Sequence, residues 1–313
     1  MEKKAACSQP FLLGVSVAEF KSGFVSLIGR PSAGKSTLIN YICGYKVSIV
    51  SAHPQTTRFL VRGIYTNESA QIVFIDTPGV HDFNSNLNRG LSNLAVRNIS
   101  EADLVLYVVD LTRKFGAEEQ TIIDSLADVK QNVIVVFNKS DVAENDTGIM
   151  KEVLSRLNNA ECLVPYIVVS SKHGNKMKEL VKLITEHLPE GPMYYPEDYA
   201  TDQTIPFRIS EVVREKIFRN TGEEVPHSTY VEVEKLNMTD DKIVAHATVF
   251  TETESQKGIL VGKGGSKIKK IGMQSRTELA DIFERSVNLF LNVKVNPNWR
   301  KNDQLLKKMF QIE

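Results

Sequence analysis

The stretch Gly29-Arg30-Pro31-Ser32-Ala33-Gly34-Lys35-Ser36-Thr37 decides how this chain is read. It fits the pattern GxxxxGK[ST], and it lies between a short apolar run, 24–28, and a stretch of helical character, 35–41, which is the context that pattern needs. Glycines let the backbone curl so that several N–H groups point at phosphate oxygens, beside a helix N-terminus that already favours anions. Lys35 adds a point charge for the β- and γ-phosphates, and the Ser36 hydroxyl suits Mg²⁺.

Working outward, further runs that are short, continuously apolar and rich in Val and Ile follow at 72–75, 104–109, 133–137 and 167–169. Such runs are expected of strands covered on both faces. Helical stretches lie between them at 117–129, 149–157 and 176–187. This alternation predicts an α/β unit with a mostly parallel sheet, the P-loop NTPase architecture. Three more motifs end strands in order. In Asp76-Thr77-Pro78-Gly79 the acid can hold Mg²⁺ through water and the Gly79 N–H can reach the γ-phosphate. In Asn138-Lys139-Ser140-Asp141 the Asp141 carboxylate can accept from the N1–H and N2–H₂ donors of guanine, a donor pair that adenine lacks. A buried carboxylate left unpaired is costly, so ATP is expected to be rejected by roughly 10⁴-fold. In Ser170-Ser171-Lys172 a backbone N–H could meet the guanine O6.

After about residue 188 the texture changes. Pro189, Gly191, Pro192, Pro196 and Pro206 punctuate a stretch that reads as a linker. Beyond it the expected order is α-β-β-α-α-β: a helix at 210–218, a hairpin of alternating strands turning at 238–241, helices at 253–261 and 266–285, and a strictly alternating strand at 287–295. Gly262-Lys263-Gly264-Gly265 separates the last two helices. In KH domains a GxxG loop in this setting clamps the backbone of about four nucleotides. Residues 257–276 carry six basic residues and no acid, so Lys263, Lys267, Lys269 and Lys270 are candidates to meet phosphates and single-stranded RNA is the expected ligand. By contrast, 191–256 holds 13 acidic and 6 basic residues and is expected to be a solvated face. The expected organisation is a leader at 1–20, a nucleotide-binding domain at 21–190, a proline-rich linker at 191–204 and a smaller α+β, type II KH domain at 205–313.

The 313 residues are 42% hydrophobic and 24% charged, with Lys+Arg 38 balancing Asp+Glu 38. That composition excludes collagen-like and wholly disordered chains, and no apolar run approaches the ~18 residues needed to cross a bilayer. Cys7, Cys43 and Cys162 are odd in number and widely spaced, which argues against a disulfide framework and a zinc cluster and fits a reducing cytosol. The amphipathic 305–310 tail is expected to pack against its own domain.

The four nucleotide motifs together resemble the Ras-like GTPases. Pro54-Gln55-Thr56-Thr57-Arg58, placed where the first switch loop belongs, Lys21-Ser22-Gly23-Phe24-Val25, and the segment from Ser255 to Lys269 narrow this to a resemblance to the Era family of bacterial ribosome-assembly GTPases. The resemblance runs from about residue 21 to Arg300. It implies a GTP-hydrolysing switch that binds the 3′ end of 16S ribosomal RNA, assists 30S subunit biogenesis and acts as a cytoplasmic monomer with peripheral contact at the inner membrane. It implies that Thr57, with Thr56 as the less favoured alternative, completes the Mg²⁺ shell set by Ser36 and Asp76, and that Lys35, Thr57 and Gly79 act on the γ-phosphate. Val80 stands where Ras-type enzymes carry the Gln that orients water, so slow intrinsic hydrolysis is expected. Ser32 replaces the Asn that in potassium-activated relatives helps bind the monovalent ion. Two rivals compete with this reading: a GTP-regulated protein- or membrane-interaction module whose KH-like domain binds no RNA, and a phosphotransferase, against which Asn138 and Asp141 speak.

Overall fold

The computed structural model describes residues 20–50, 59–76, 101–127, 132–143, 148–157, 163–222, 224–302 and 304–306. Its N-terminal half is a six-stranded sheet built from β1 (Lys21–Ile28), β2 (Val61–Thr66), β3 (Ala70–Asp76), β4 (Leu104–Asp110), β5 (Asn132–Asn138) and β6 (Tyr166–Val168). The order is β2-β3-β1-β4-β5-β6, parallel except for β2, which runs antiparallel to β3 along one edge. Around it lie α1 (Lys35–Cys43), α2 (Ala117–Ala127), α3 (Gly148–Leu157) and α4 (Met177–His187).

The continuous apolar runs follow from burial on both faces. Leu104, Leu106 and Val108 of β4 pack with Leu38 and Ile39 of α1 and Leu180 and Ile184 of α4. Their alternates Val105, Tyr107 and Val109 pack with Ile122 and Leu126 of α2 and Val153 of α3. The sequence reading had no counterpart to β2. Its stretch, Val61-Arg62-Gly63-Ile64-Tyr65-Thr66, is only half buried, so it has no continuous apolar run, and its strand character comes from pairing with β3.

The C-terminal half contains α5 (Ile205–Asn220), β7 (Tyr230–Met238), β8 (Lys242–Thr251), α6 (Glu254–Val261), α7 (Ser266–Phe283) and β9 (Ser286–Val295). Strands pair in the order β7-β8-β9, β7 antiparallel and β9 parallel to β8. This is the expected α-β-β-α-α-β sequence. Its core joins Ile209, Val213 and Ile217 of α5 to Ile271 and Leu279 of α7 over Ala245, Ala247 and Leu289 of the sheet. Helix α5 begins earlier than expected, because the Thr204 hydroxyl caps it by accepting from Phe207 N at 3.4 Å and Pro206 occupies its first turn, where the missing N–H costs nothing. Thr253 caps α6 rather than continuing it, with Gln256 completing a capping box. Helix α7 stops at Phe283, where Glu284 turns left-handed.

Residues 189–203 are held rather than loose. Ser22 N donates to Pro189 O (3.1 Å) and Ile64 N to Ala200 O (2.9 Å). The Gln71 amide bonds the backbone of Tyr194 and Tyr195. The expectation that 191–256 is a solvated face fails on α5, where the Glu211 carboxylate pairs with the buried Arg214 guanidinium (2.7 and 2.8 Å) and Glu215 is fully buried. Leu305 and Leu306 pack on Tyr230 and Trp299, and residues 307–310 of the tail lie outside the described residues. Trp299 is 1% exposed and its Nε1 donates to Ser228 O at 2.9 Å. Trp299→Ala is expected to destabilise the C-terminal half by about 3–5 kcal/mol, seen as an earlier first transition in a denaturant melt while the unfolding of the N-terminal half stays in place.

Candidate nucleotide and RNA sites

The C-terminal ends of β1, β3, β5 and β6 lie at the same edge of the parallel sheet, the edge where open α/β sheets bind ligands. The loop after β1 is shaped by glycine. Gly29 lies so close to the Val108 carbonyl that a Cβ there would overlap it, and Gly34 has φ 99° with the Asn138 amide where its side chain would go. Ser32 also has positive φ, 60°, so this non-glycine residue accepts the bend that the loop imposes. Helix α1 starts directly after Gly34 with no side-chain cap, which leaves its first N–H groups for an anion.

Lys35 is buried and its Nζ donates to Gly29 O (2.8 Å) and Arg30 O (3.1 Å). Burial lowers its pKa to about 8, opposed by the charge of Asp76. The Ser36 hydroxyl donates to Asp76 Oδ2 at 2.7 Å, so two hard oxygen donors meet where α1 faces the end of β3, a donor set that suits Mg²⁺. Thr37 lies in the same first turn, and Pro31 and Ala33 are buried within the loop. The Arg30 side chain turns away to Glu118 and Glu119 of α2, so only its backbone faces the loop. Thr57, Thr77, Pro78, Gly79 and Val80 lie outside the described residues.

Asn138, fully buried at the end of β5, ties three loops together. Its Nδ2 donates to Ala33 O and Ser171 Oγ, both at 2.9 Å, and its Oδ1 accepts from Ser171 N at 3.0 Å. Lys139 adopts φ 67° and pairs with buried Asp110 at 2.6 Å. Burial would raise the Asp110 carboxyl, but hydrogen bonds from Lys139 and Thr112 hold it below its ordinary value. Asp141 Oδ1 accepts from Ser170 Oγ at 2.6 Å, and His173 Nε2 stands 3.5 Å from Oδ2. The Ser170 hydrogen bond, ahead of smaller charge effects, lowers the Asp141 pKa, so the carboxylate is anionic and can accept two N–H donors side by side. The turn from Ser170 to Asn175 is covered by Tyr41, whose ring leaves no room for a Cβ at Gly174. Sequence reasoning missed Asp110 and Tyr41. An acid closing the buried run Leu104–Asp110 was a signal available for the first, and nothing local marked the second.

In the C-terminal half, Gly262, Gly264 and Gly265 have φ of 72°, 58° and 75°, a bend that side chains resist. A Cβ at Gly262 would press on Lys267 Cβ at 2.8 Å. Lys263, Lys269 and Lys270 are exposed, Lys267 is half-buried, and none of the four makes an ion pair among the described residues. Exposed Ile259 on α6 and Met273 on α7 add apolar surface near them. The loop thus combines close backbone approach, unpaired positive charge and apolar contact.

A family model described as a 50S ribosome-binding GTPase matches residues 24–139, and one described as a KH domain matches 224–300. GTPase Era of Borrelia garinii subsp. bavariensis is 43% identical over 290 residues, covering 92% of this chain and 99% of that protein. Two solved structures superpose with a TM-score of 0.86 at 34% identity over 93% of this chain. One is a variant of Aquifex aeolicus Era bound to GDP.AlF4⁻, matched over 99% of its length, and the other is Era in complex with MgGDPNP and nucleotides 1506–1542 of 16S ribosomal RNA, matched over 98%. Identity at this level along nearly the whole of such relatives, on the same fold, means that the chain belongs to the Era family of GTPases.

Proposed function

We propose that this chain is a GTP-hydrolysing switch that binds the 3′ end of 16S ribosomal RNA and assists biogenesis of the 30S subunit. The observation that carries the proposal is the pairing, on one sheet edge, of an uncapped α1 N-terminus beside Lys35 with the anionic Asp141 carboxylate. The first suits a triphosphate, the second the guanine edge, and Asn138 fixes one relative to the other. The solved relatives with GDP.AlF4⁻ and with MgGDPNP and RNA support the same pair of ligands.

In this reading the backbone of residues 29–37 cradles the phosphates, Lys35 Nζ leaves the Gly29 and Arg30 carbonyls for the β- and γ-phosphates, and Asp141, Lys139 and the loop at Ser170 and Ser171 hold the base. Mg²⁺, held by Ser36, by Asp76 through water and by Thr57, neutralises phosphate charge when bound. Thr77, Pro78 and Gly79 meet the γ-phosphate. Val80 offers no polar group to the attacking water, which makes intrinsic hydrolysis slow. Residues 262–265 with Lys267, Lys269 and Lys270 clamp the RNA backbone. The domain limits belong to the proposal: a leader at 1–20, the nucleotide-binding domain at 21–190, a connecting stretch at 191–204 and the KH domain at 205–313. So do a monomeric state and a cytoplasmic location with peripheral contact at the inner membrane. Among the described residues no helix is long and apolar enough to cross a membrane.

Calorimetry with magnesium tests the proposal directly. GTP and GDP should bind and ATP should bind about 10⁴-fold more weakly; absence of guanine-nucleotide binding overturns the reading. Asp141→Asn should cost about 10²-fold for GTP and favour xanthosine triphosphate, whose 2-carbonyl accepts from the new amide. Lys35 gives a pH signature. Phosphate oxygens favour its charged form and raise a pKa that burial has lowered to about 8, so above that pH nucleotide binding takes up a proton and weakens as pH rises. Calorimetry in buffers of different ionisation enthalpy reads that uptake. The stability of the nucleotide-free fold runs the other way, rising with pH between about 8 and 10.5 because there the unfolded chain keeps the proton that the fold has lost. Lys263→Ala and Lys267→Ala should each weaken RNA binding and flatten the salt dependence of the logarithm of affinity by about 0.7, with GTP affinity unchanged; filter retention across a salt series reads both.

A further inference from the structure

Arg30, in the loop after β1, is gripped from two sides. Its carbonyl accepts from Lys35 Nζ at 3.1 Å and from Ala33 N at 3.2 Å. Its guanidinium crosses to the first turn of α2, where Nη1 donates to Glu119 Oε2 at 2.9 Å and Nε donates to Glu118. The two acids differ. Glu118 is exposed, and exposed ion pairs contribute little. Glu119 is 1% exposed, so its charge is taken out of water and depends on its partner. Burial raises the Glu119 pKa, and the Arg30 charge is the foremost influence opposing it. Helix α2 is a firm support: Ile122 and Leu126 pack on the sheet, and Gln120 Oε1 accepts from Arg156 of α3 at 2.6 Å. A second fastening lies three residues on, where Ala33 O accepts from Asn138 Nδ2 at 2.9 Å. Between Gly29 and Gly34 the loop is thus tied to α2 at one point and to β5 at another.

We propose that Glu119 is a positioning residue for nucleotide binding: through the Arg30 guanidinium it holds the loop after β1 in the shape that receives the β-phosphate. This role rests on the GTPase reading, and Glu119 lies outside the four nucleotide motifs. A loop bounded by glycines has more backbone freedom to lose than other segments, and anchors that remove that freedom beforehand lower the cost of binding. The β-phosphate is common to GDP and GTP, so the anchor acts on both nucleotides alike. It holds the loop in the same way in the bound ground state and during hydrolysis, so its effect falls on binding and not on the hydrolytic step.

The test uses the full chain with magnesium and compares Glu119→Ala, Glu119→Gln, Arg30→Met, and Glu119→Gln combined with Arg30→Met. Calorimetry gives the affinity for GDP and for a non-hydrolysable GTP analogue, and phosphate release gives KM and kcat for GTP. Glu119→Ala and Arg30→Met should each weaken both nucleotides about tenfold. Glu119→Gln keeps an acceptor for Arg30 and should recover most of the loss. The double variant should be no weaker than Arg30→Met alone, because both changes break the same contact. KM for GTP should rise with kcat unchanged, whereas a chain that merely folds less well would lose kcat in proportion to its folded fraction and keep its KM. Asp124→Ala removes an exposed acid of the same helix that pairs with Gln120 and should leave both affinities unchanged. The double variant removes both charges at once, so its affinities and its KM answer the question even where Glu119→Ala fails to fold. Additive losses in the double variant, a loss confined to one nucleotide, an equal loss in Asp124→Ala, a lower kcat at constant KM, or unchanged affinities overturn the inference while the GTPase reading stands. A parent chain that binds no guanine nucleotide overturns both.

Discussion

The buried amide of Asn138 is the constraint on which the nucleotide site depends. It serves three loops that are far apart in sequence, and each of its hydrogen bonds is made inside the protein. Removing it would leave buried polar groups unmatched, at roughly 1–3 kcal/mol each. The parallel sheet brings the ends of β1, β5 and β6 to one edge, but backbone pairing alone sets strand register and leaves the loops free to splay. The amide converts a shared edge into a fixed distance between the loop after β1 and the loops after β5 and β6. Such fixed geometry lets one ligand engage both ends without reordering the protein.

Two lysines of this site show how a partner decides a residue's task. Lys139 faces the buried Asp110 carboxylate and is locked by charge. Lys35 is held by two backbone carbonyls, Gly29 and Arg30. Carbonyl dipoles compensate a buried ammonium only in part, which is why burial dominates and its pKa falls to about 8. A phosphate is a better partner than either carbonyl, so Lys35 is free to change partners where Lys139 is not. Neutral acceptors keep the first lysine available, and a full countercharge fixes the position of the second.

The parts that the sequence made legible are those where a local rule is sufficient. Glycine spacing reports the bends at Gly29, Gly34 and Gly262–Gly265, because only backbone conformation is at issue there. Continuous apolar runs report β3, β4 and β5, because burial on both faces leaves no other pattern. What escaped is set by distant partners. β2 is a strand because β3 offers it an edge. Glu215 looks like a solvated acid until Lys46 is placed beside it. The Arg30 side chain belongs to α2 because Glu118 and Glu119 stand across the fold. Each is an interaction between charges or edges far apart in the chain, and no window of neighbouring residues carries it.

Helix α7 runs from the glycine loop at 262–265 to the ion cluster at Lys46. It starts directly after Gly265, bears Lys267, Lys269 and Lys270 in its first turns, and reaches Glu278 roughly 18 Å further along its axis. One end therefore follows the glycine loop and the other meets Lys46 just after α1. Linkage makes the relation reciprocal: whatever the triphosphate does to the RNA affinity, the RNA must do to the triphosphate affinity by the same factor. The strap at 189–203 is hydrogen-bonded to β2 and β3. Lys46 meets two carboxylates on two different helices, Glu215 of α5 and Glu278 of α7, so a rotation of α7 against α5 would change the electrostatics of this cluster.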